Sequence, residues 1–299
     1  MLVCLREFHI PRDASQSLIR ETKILDRLRK LLNFRPDMRT NKLKATLKAG
    51  GIALGTLVWD TSGRGVMHTL AAAGMDFAWI CTEHSAFNLE TVVAMVAHAH
   101  AAGITPIVRI PDLQYEHVTR LLDSGCQSLI LPHVGSGAEV RRYIEMAKYH
   151  PLGRRGMALF ANAATDYEEV ELPAAMAHAN ANTLLAVMIE TREAVECAEE
   201  IVIDGVDLVV VGHQDLSQSF GVPGQYANPE LRAANDKVRA LCEARKIPFT
   251  GLAARPEDIE GVVKSGARFV LYGTDLILMR REAERAARAL APFRKRAGA

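Results

Sequence analysis

The sequence is poor in several features that would settle its class at once. Five cysteines stand at positions 4, 81, 126, 197 and 242, and no two have CxxC or CxxxC spacing. That excludes a zinc knuckle and gives no disulfide framework, so reduced thiols and a cytoplasmic location are expected. No run approaches the roughly 20 uncharged apolar residues of a membrane span. Net charge is nearly absent, with 36 Lys and Arg against 35 Asp and Glu. Nucleic acid is therefore not an expected partner, since phosphate backbones select cationic surfaces. No GxGxxG follows the first strand-like run: Gly63-Arg64-Gly65 continues into Val66-Met67-His68, and neither a phosphate loop nor a nucleophile elbow occurs.

What is present has a clear rhythm. A helix-like run ends in glycine, a short apolar strand follows, and a polar residue closes the strand. The glycines are Gly74, Gly103, Gly125, Gly205 and Gly266, placed where a helix C-terminus needs positive φ. Strands are predicted at Phe77–Cys81, Pro106–Arg109, Ser128–Leu131, Leu208–Val211 and Phe269–Tyr272. Ile52–Val58, Leu184–Ile189 and Ile247–Gly251 bring the total to eight. Intervening helices are expected at Leu89–Ala102, Pro229–Arg245 and Pro256–Lys264, and a C-terminal one at Asp275–Leu290. Eight alternating strand–helix units predict an α/β chain folded as a (β/α)₈ TIM barrel over residues 42–299. One long excursion, from Pro151 to the strand at Leu184, is expected to form a lid or substrate loop.

Residues 1–41 read as a basic N-terminal extension. The first 49 residues hold 12 Lys and Arg against 5 Asp and Glu, leaving the remainder about −6. An amphipathic run from Leu18 to Leu32 predicts a surface helix or a tail docked on a neighbouring subunit.

Barrel enzymes carry their chemistry at the C-terminal ends of the strands. Those ends read Thr82-Glu83-His84, Arg109, Pro132-His133, Glu190 and Gly212-His213-Gln214-Asp215. Glu190 closes an apolar strand and must be solvated, paired or metal-bound, and Asp215 offers a second carboxylate from the next strand. Two hard oxygen ligands suit Mg²⁺, Mn²⁺ or Co²⁺. As ordinary helix caps, either carboxylate would need no metal. His84 fits a base or proton shuttle, and Arg109 fits an anchor for a carboxylate or enolate. His98, His100, His117, His150 and His178 are expected at the surface. Lys148, Lys237, Lys246 and Lys264 fall on helices or at strand starts, which argues against a Schiff-base aldolase.

Taken together, Glu83-His84, Val108-Arg109-Ile110-Pro111, the segment Leu121–Gln127, Leu131-Pro132, Arg155-Gly156, the segment Ile189–Ala194 and the segment Val211–Ser217 resemble the successive motifs of the class II pyruvate aldolases. This is the hydroxy-oxo-heptanedioate aldolase and citrate lyase family, with features similar to macrophomate synthase. The resemblance spans residues 41–279. It implies a divalent-metal-dependent lyase that cleaves or forms 4-hydroxy-2-oxo acids through a pyruvate enolate. It further implies Glu190 and Asp215 as metal ligands, and Arg109, His133, Gly156 and Ala158 around the substrate. His84 and Asp123 would serve proton transfer, Asp123 reaching the histidine of a neighbouring subunit. Its partners would be a 2-oxo acid, an aldehyde and further copies of itself in a hexamer built as a trimer of dimers.

Three departures qualify that picture. Cys81 stands where the family usually has aspartate, and Met188 where it often has glutamine. Met157-Ala158-Leu159-Phe160 replaces a Gly-Ser-Ala stretch. Cys81 and His133 favour an alternative, oxaloacetate decarboxylation or macrophomate-synthase-like trapping of the enolate. A catalytically silent relative is the remaining alternative.

Overall fold

The computed structural model describes residues 38–294. The expected amphipathic helix at Leu18–Leu32 and most of the basic extension lie outside them. Met38–Asn41, assigned to that extension, belong structurally with the barrel. Asn41 Nδ2 donates to the Gln127 carbonyl, Ser128 Oγ and the Asn182 carbonyl at 2.9–3.0 Å.

Eight parallel strands form the sheet: β1 (Ala53–Val58), β2 (Phe77–Cys81), β3 (Thr105–Arg109), β4 (Ser128–Leu131), β5 (Leu184–Ile189), β6 (Leu208–Val211), β7 (Thr250–Ala253) and β8 (Phe269–Thr274). Their order is β6-β5-β4-β3-β2-β1-β8-β7. The two ends meet through a bridge between Val209 and Phe249, so the barrel is nearly closed. In chain order the helices are α1 (Lys42–Lys48), α2 (Arg64–Ala72), α3 (Leu89–Ala102), α4 (Tyr115–Asp123), α5 (Gly137–Ala147), α6 (Leu172–Asn182), α7 (Arg192–Glu196), α8 (Ala198–Ile201), α9 (His213–Ser219), α10 (Pro229–Arg245), α11 (Ile259–Lys264) and α12 (Asp275–Leu290). Gly103 closes α3 at φ 80°, and the four other glycines of the repeat share positive φ.

Side chains alternate between the barrel interior and the helix layer. Phe77, Trp79, Ile107, Ile130, Leu184, Ala186, Met188, Leu208, Val210 and Phe269 fill the interior, closed below by Leu43 and Leu47 of α1. Ala78, Ile80, Val108, Leu129, Leu185, Val187, Ile189, Val209 and Val211 pack outward against the helices. This period of two decides which residues reach the mouth. Phe77 stacks on Phe269 with ring centroids 3.9 Å apart. Gly55 makes room for the pair, since a Cβ there would fall 2.4 Å from the Phe77 ring.

Three expectations need correction. The strand expected at Ile247–Gly251 is displaced to Thr250–Ala253, because Pro248 has no N–H and the Ile247 N–H is taken by the Cys242 carbonyl at 2.9 Å. The excursion after Pro151 is not loop throughout, because its later part is α6. Glu171 caps α6, and Asn180 exchanges two hydrogen bonds with the Tyr149 backbone, at 2.7 and 2.9 Å. Lys148 is buried there and donates to the Asn180 and Thr183 carbonyls at 2.8 and 2.7 Å. Burial and the neighbouring Lys44 lower its pKa to about 7.

The third correction concerns His100, which is not a surface residue. It is partly buried, with Nε2 3.0 Å from the Gly125 carbonyl, and burial followed by the charge of Arg39 lowers its pKa to about 4. The unfolded chain therefore takes up a proton below pH 6.5 that the folded chain refuses until about pH 4. Stability falls with pH across that window, by roughly 2–3 kcal/mol in all. Thermal melts of His100→Gln should show a flatter pH dependence between 6.5 and 4 than the parent; an equal slope would remove His100 as its cause.

Candidate active site

The inward positions one step above the interior layer form the mouth. Above Trp79 comes Cys81, above Ile107 comes Arg109, above Met188 comes Glu190 and above Val210 comes Gly212. Cys81 and Arg109 are direct partners in the β2–β3 register. Arg109 Nη2 donates to Cys81 Sγ at 2.9 Å, and Nη1 lies 3.1 Å from Glu83 Oε2 and 3.9 Å from Met188 Sδ. The guanidinium is 5.6 Å from the Trp79 ring centroid, and the residue is only 5% exposed.

The turn after β2 is fixed by its own hydrogen bonds. Thr82 Oγ1 donates to the Arg109 carbonyl at 2.6 Å, Ser85 Oγ to the Cys81 carbonyl at 2.6 Å, and the His84 N–H to Cys81 Sγ at 3.3 Å. His84 reaches the mouth half-exposed, with Nε2 3.7 Å from Glu83 Oε1. Glu83 is the junction that residue-by-residue reading passed over. It pairs with Arg109, and its Oε1 lies 2.7 Å from His133 Nε2. Its place beside His84 was the available signal, but its partners lie on other strands.

His133 turns at φ 50°, a conformation that costs a non-glycine residue energy. That turn aims its backbone N–H at Glu190 Oε1, 2.6 Å away, with Nδ1 at 3.4 Å. Glu190 is 1% exposed, and its Oε2 has no hydrogen-bond partner among the described residues. Burial raises its pKa, His133 opposes the rise, and the charges of Asp215 and Glu83 add to it. Asp215 sits in the first turn of α9 and lines the mouth. His213, beside it, has its pKa lowered by burial. Among the described residues no three His, Cys, Asp or Glu side chains form a complete metal cage.

The mouth opens into a cavity of about 300 Å³ bordered by His84, Arg109, Met188 and Asp215 on one side and by β7, β8 and α12 on the other. A parallel barrel with carboxylates, an arginine and two histidines at its C-terminal end can bind a small anion and move a proton beside it.

Comparison with known proteins shows the family. The model of the HpcH/HpaI aldolase/citrate lyase family matches residues 43–281. The chain belongs to that family. This places it among lyases. It is 32% identical over 248 residues to a hydroxypyruvate/pyruvate aldolase of Sagittula stellata, covering 82% of this chain and 95% of that one. It is also 32% identical to a 4-hydroxy-2-oxo-heptane-1,7-dioate aldolase of Shigella sonnei, covering 82% and 92%. The crystal structure of an HpcH/HpaI aldolase from Desulfitobacterium hafniense superposes with a TM-score of 0.78 at 28% identity, covering 83% of this chain and 96% of that one.

Against the family pattern, the structure divides the expected site residues into two groups. His84, Arg109, His133, Glu190 and Asp215 gather at the mouth. His84, Arg109 and Asp215 line the mouth cavity, and His133 and Glu190 join them through Glu83 and each other; Asp123, Gly156 and Ala158 neither line it nor bond to that cluster. Asp123 takes Arg155 Nη2 at 2.6 Å, and Arg155 stacks 4.6 Å over the Tyr149 ring. The Gly156 N–H donates to the Tyr115 hydroxyl at 2.8 Å, and the Ala158 carbonyl accepts from Asn162 Nδ2.

Gly212 gives a direct test of how tightly Glu190 is held. Its φ of −83° suits any residue, yet a Cβ there would lie 2.3 Å from Glu190 Oε2. Gly212→Ala should therefore destabilise by about 1–3 kcal/mol, the clash outweighing the ~0.4–1 kcal/mol that alanine gains in the unfolded chain. Denaturant titration of Gly212→Ala, Glu190→Gly and the double variant should give a coupling above about 1 kcal/mol, since only glycine at 190 removes both the carboxylate and the Cβ that a Cβ at 212 would meet. Additive effects would show that the two residues do not press on each other.

Proposed function

We propose that the chain is a divalent-metal-dependent aldolase that cleaves or forms 4-hydroxy-2-oxo acids, with pyruvate as the common fragment. The carrying observation is Glu190. A fully buried carboxylate with one oxygen unpartnered, raised in pKa beside a second carboxylate, is an arrangement that a cation relieves. Glu190 and Asp215 would hold the metal, leaving its other positions to substrate and water, and Mg²⁺ or Mn²⁺ suits two carboxylates. When bound, such a cation supplies Lewis-acid stabilisation of charge on the 2-oxo oxygen.

The remaining work falls to the chain's own groups. Arg109, buried and fixed by Cys81 and Glu83, presents a permanent charge to an anionic oxygen of the oxo acid. Glu83 aligns both Arg109 and His133. His84 carries the proton at the cavity edge, where half its side chain meets solvent. In cleavage, the bond between C3 and the hydroxyl-bearing carbon breaks, the hydroxyl loses a proton to form the aldehyde, and C3 gains one to give pyruvate. Asp123, Gly156 and Ala158 enter this proposal only through a second copy of the chain, because within one chain they lie with Arg155 and Tyr115.

A second reading, decarboxylation of oxaloacetate or capture of its enolate by another acceptor, is favoured by His133, whose ring stands between Glu83 and Glu190. In the presence of Mg²⁺ or Mn²⁺, proton NMR in D₂O should show loss of the pyruvate methyl signal, and Glu190→Gln should abolish it. Retention of that signal together with turnover of oxaloacetate would move the assignment to the second reading. Retention with neither activity would leave a silent relative.

Oligomerisation is part of the proposal. α12 buries only Asp275, while Leu276 and Met279 are 39% and 61% exposed and share one face with Leu290. A second copy is the occupant proposed for that face. The cytosol suits the free Cys81, Cys126, Cys197 and Cys242, and among the described residues no helix is long and apolar enough to cross a membrane. Light scattering should give a multiple of the 32.8 kDa chain for the parent and a smaller particle for Met279→Lys. An unchanged mass would place the interface elsewhere.

A further inference from the structure

The mouth cavity has two unlike sides. His84, Arg109 and Asp215 make one side polar and charged. The other is built from Leu57 and Trp59 at the end of β1, Leu252 of β7, Leu271 of β8 and Ile277 of α12. Leu252 and Ile277 are 52% and 40% exposed, so this wall holds apolar side chains open to the cavity rather than closing it. A 2-oxo acid head of pyruvate size leaves most of the roughly 300 Å³ unfilled, and the unfilled part is the apolar one.

One cation stands on that side, Arg281. Its Nη1 lies 3.3 Å from the Tyr272 hydroxyl, Nη2 donates to the Ala254 carbonyl, and the guanidinium lies 5.8 Å from the Tyr272 ring. Both terminal nitrogens of the arginine are thus engaged by protein acceptors, and a substrate carboxylate would have to displace the Tyr272 hydroxyl or the Ala254 carbonyl to use them as a fork. On α12, Ile277 and Arg281 are one turn apart on the cavity side, while Leu276 and Met279 occupy another face.

We infer that the aldehyde partner of this site is an uncharged one with an aliphatic or aromatic chain, seated against Trp59, Leu252, Leu271 and Ile277. The inference rests on the aldolase reading above. In the condensing direction C3 of pyruvate loses a proton and bonds to the aldehyde carbon, whose oxygen gains a proton. The aldehyde's chain then extends away from Arg109 along the apolar wall. Each methylene buried there should raise kcat/KM about fourfold until the wall is covered. A terminal carboxylate on the same wall would lose its water and could meet Arg281 only at the expense of that residue's bonds to Tyr272 and Ala254.

The experiment has two stages with the full-length protein and Mn²⁺. Exchange of pyruvate methyl protons in D₂O first tests the aldolase reading. Condensation of pyruvate with propanal, butanal and pentanal then measures the wall, and 4-methylpentanal is compared with 4-oxobutanoate, which replaces the isopropyl end with a carboxylate of similar shape. The expected result is a rise along the series and a preference of at least tenfold for 4-methylpentanal, reversed in Leu252→Lys. Leu252 is half-exposed, so the fold tolerates the lysine, and Ile277→Lys repeats the test from α12. Exchange with equal or better use of 4-oxobutanoate overturns the inference alone. A preference unchanged in both lysine variants also overturns it, by placing the chain on another wall. Absence of exchange and of condensation overturns the aldolase reading and the inference together.

Discussion

The arrangement of the mouth depends on one buried charge. Glu190 ends an apolar strand, is 1% exposed, and receives its close hydrogen bond from the His133 backbone at 2.6 Å. Burying a carboxylate costs several kcal/mol unless surrounding groups compensate it. That requirement reaches into three neighbouring elements. The chain after β4 turns into the left-handed region at His133, and that turn points an N–H at the carboxylate. The end of β6 must be glycine, because any Cβ there would displace Oε2. Asp215 follows in the next turn and pushes the Glu190 pKa further up, which makes the pair more receptive to a cation than either carboxylate alone.

Alternation along the strands explains how much of this was visible beforehand. Once Leu184, Ala186 and Met188 are taken as inward, Glu190 must be inward too. The same count carries Ile107 to Arg109 and Trp79 to Cys81. β2, β4, β5 and β6 have the predicted bounds because each is a short apolar run between a turn and a polar residue. β7 does not, because the apolar Ile247 and Pro248 precede the first residue that can join the ladder. α6 escaped notice for another reason. Its sequence, Leu172–Asn182, is mostly alanine and asparagine and lacks the apolar stripe that marks a helix against a core. What fastens it is Asn180, whose two bonds to Tyr149 join residues far apart in sequence.

The site was less legible than the fold for the same physical reason. Arg109, Glu190 and Asp215 could be found because a charge at the end of an apolar strand is conspicuous. The importance of Glu83 depends on His133, fifty residues later, and on Arg109, and no local pattern encodes that meeting. The positive φ of His133 is equally hidden, since histidine does not advertise a left-handed turn as glycine does. Nothing local in the sequence marks His100 and Lys148 as buried, because each lies on or beside a helix. Their burial comes from the layers packed over them, not from their neighbours in sequence.

The family resemblance leads one to expect an acid where Cys81 stands, and the effect of the thiol follows through this geometry to the charge of the site. The β2–β3 register sets position 81 beside Arg109 whatever side chain it carries. With sulfur there, Nη2 finds an acceptor at 2.9 Å, but Glu83 remains the one carboxylate paired with Arg109 among the described residues. Glu83 is itself divided between Arg109 and His133. A second carboxylate at position 81 would hold the guanidinium as firmly and would also cancel its charge. The thiol keeps the geometry and leaves more of the positive field directed into the mouth, where Coulomb attraction in a poorly hydrated pocket is stronger than in water. The polar side of the cavity is therefore a strong anchor for one anionic head group. An anchor of that strength beside an apolar wall, with Arg281 engaged by the Tyr272 hydroxyl and the Ala254 carbonyl, favours a substrate with charge at one end only.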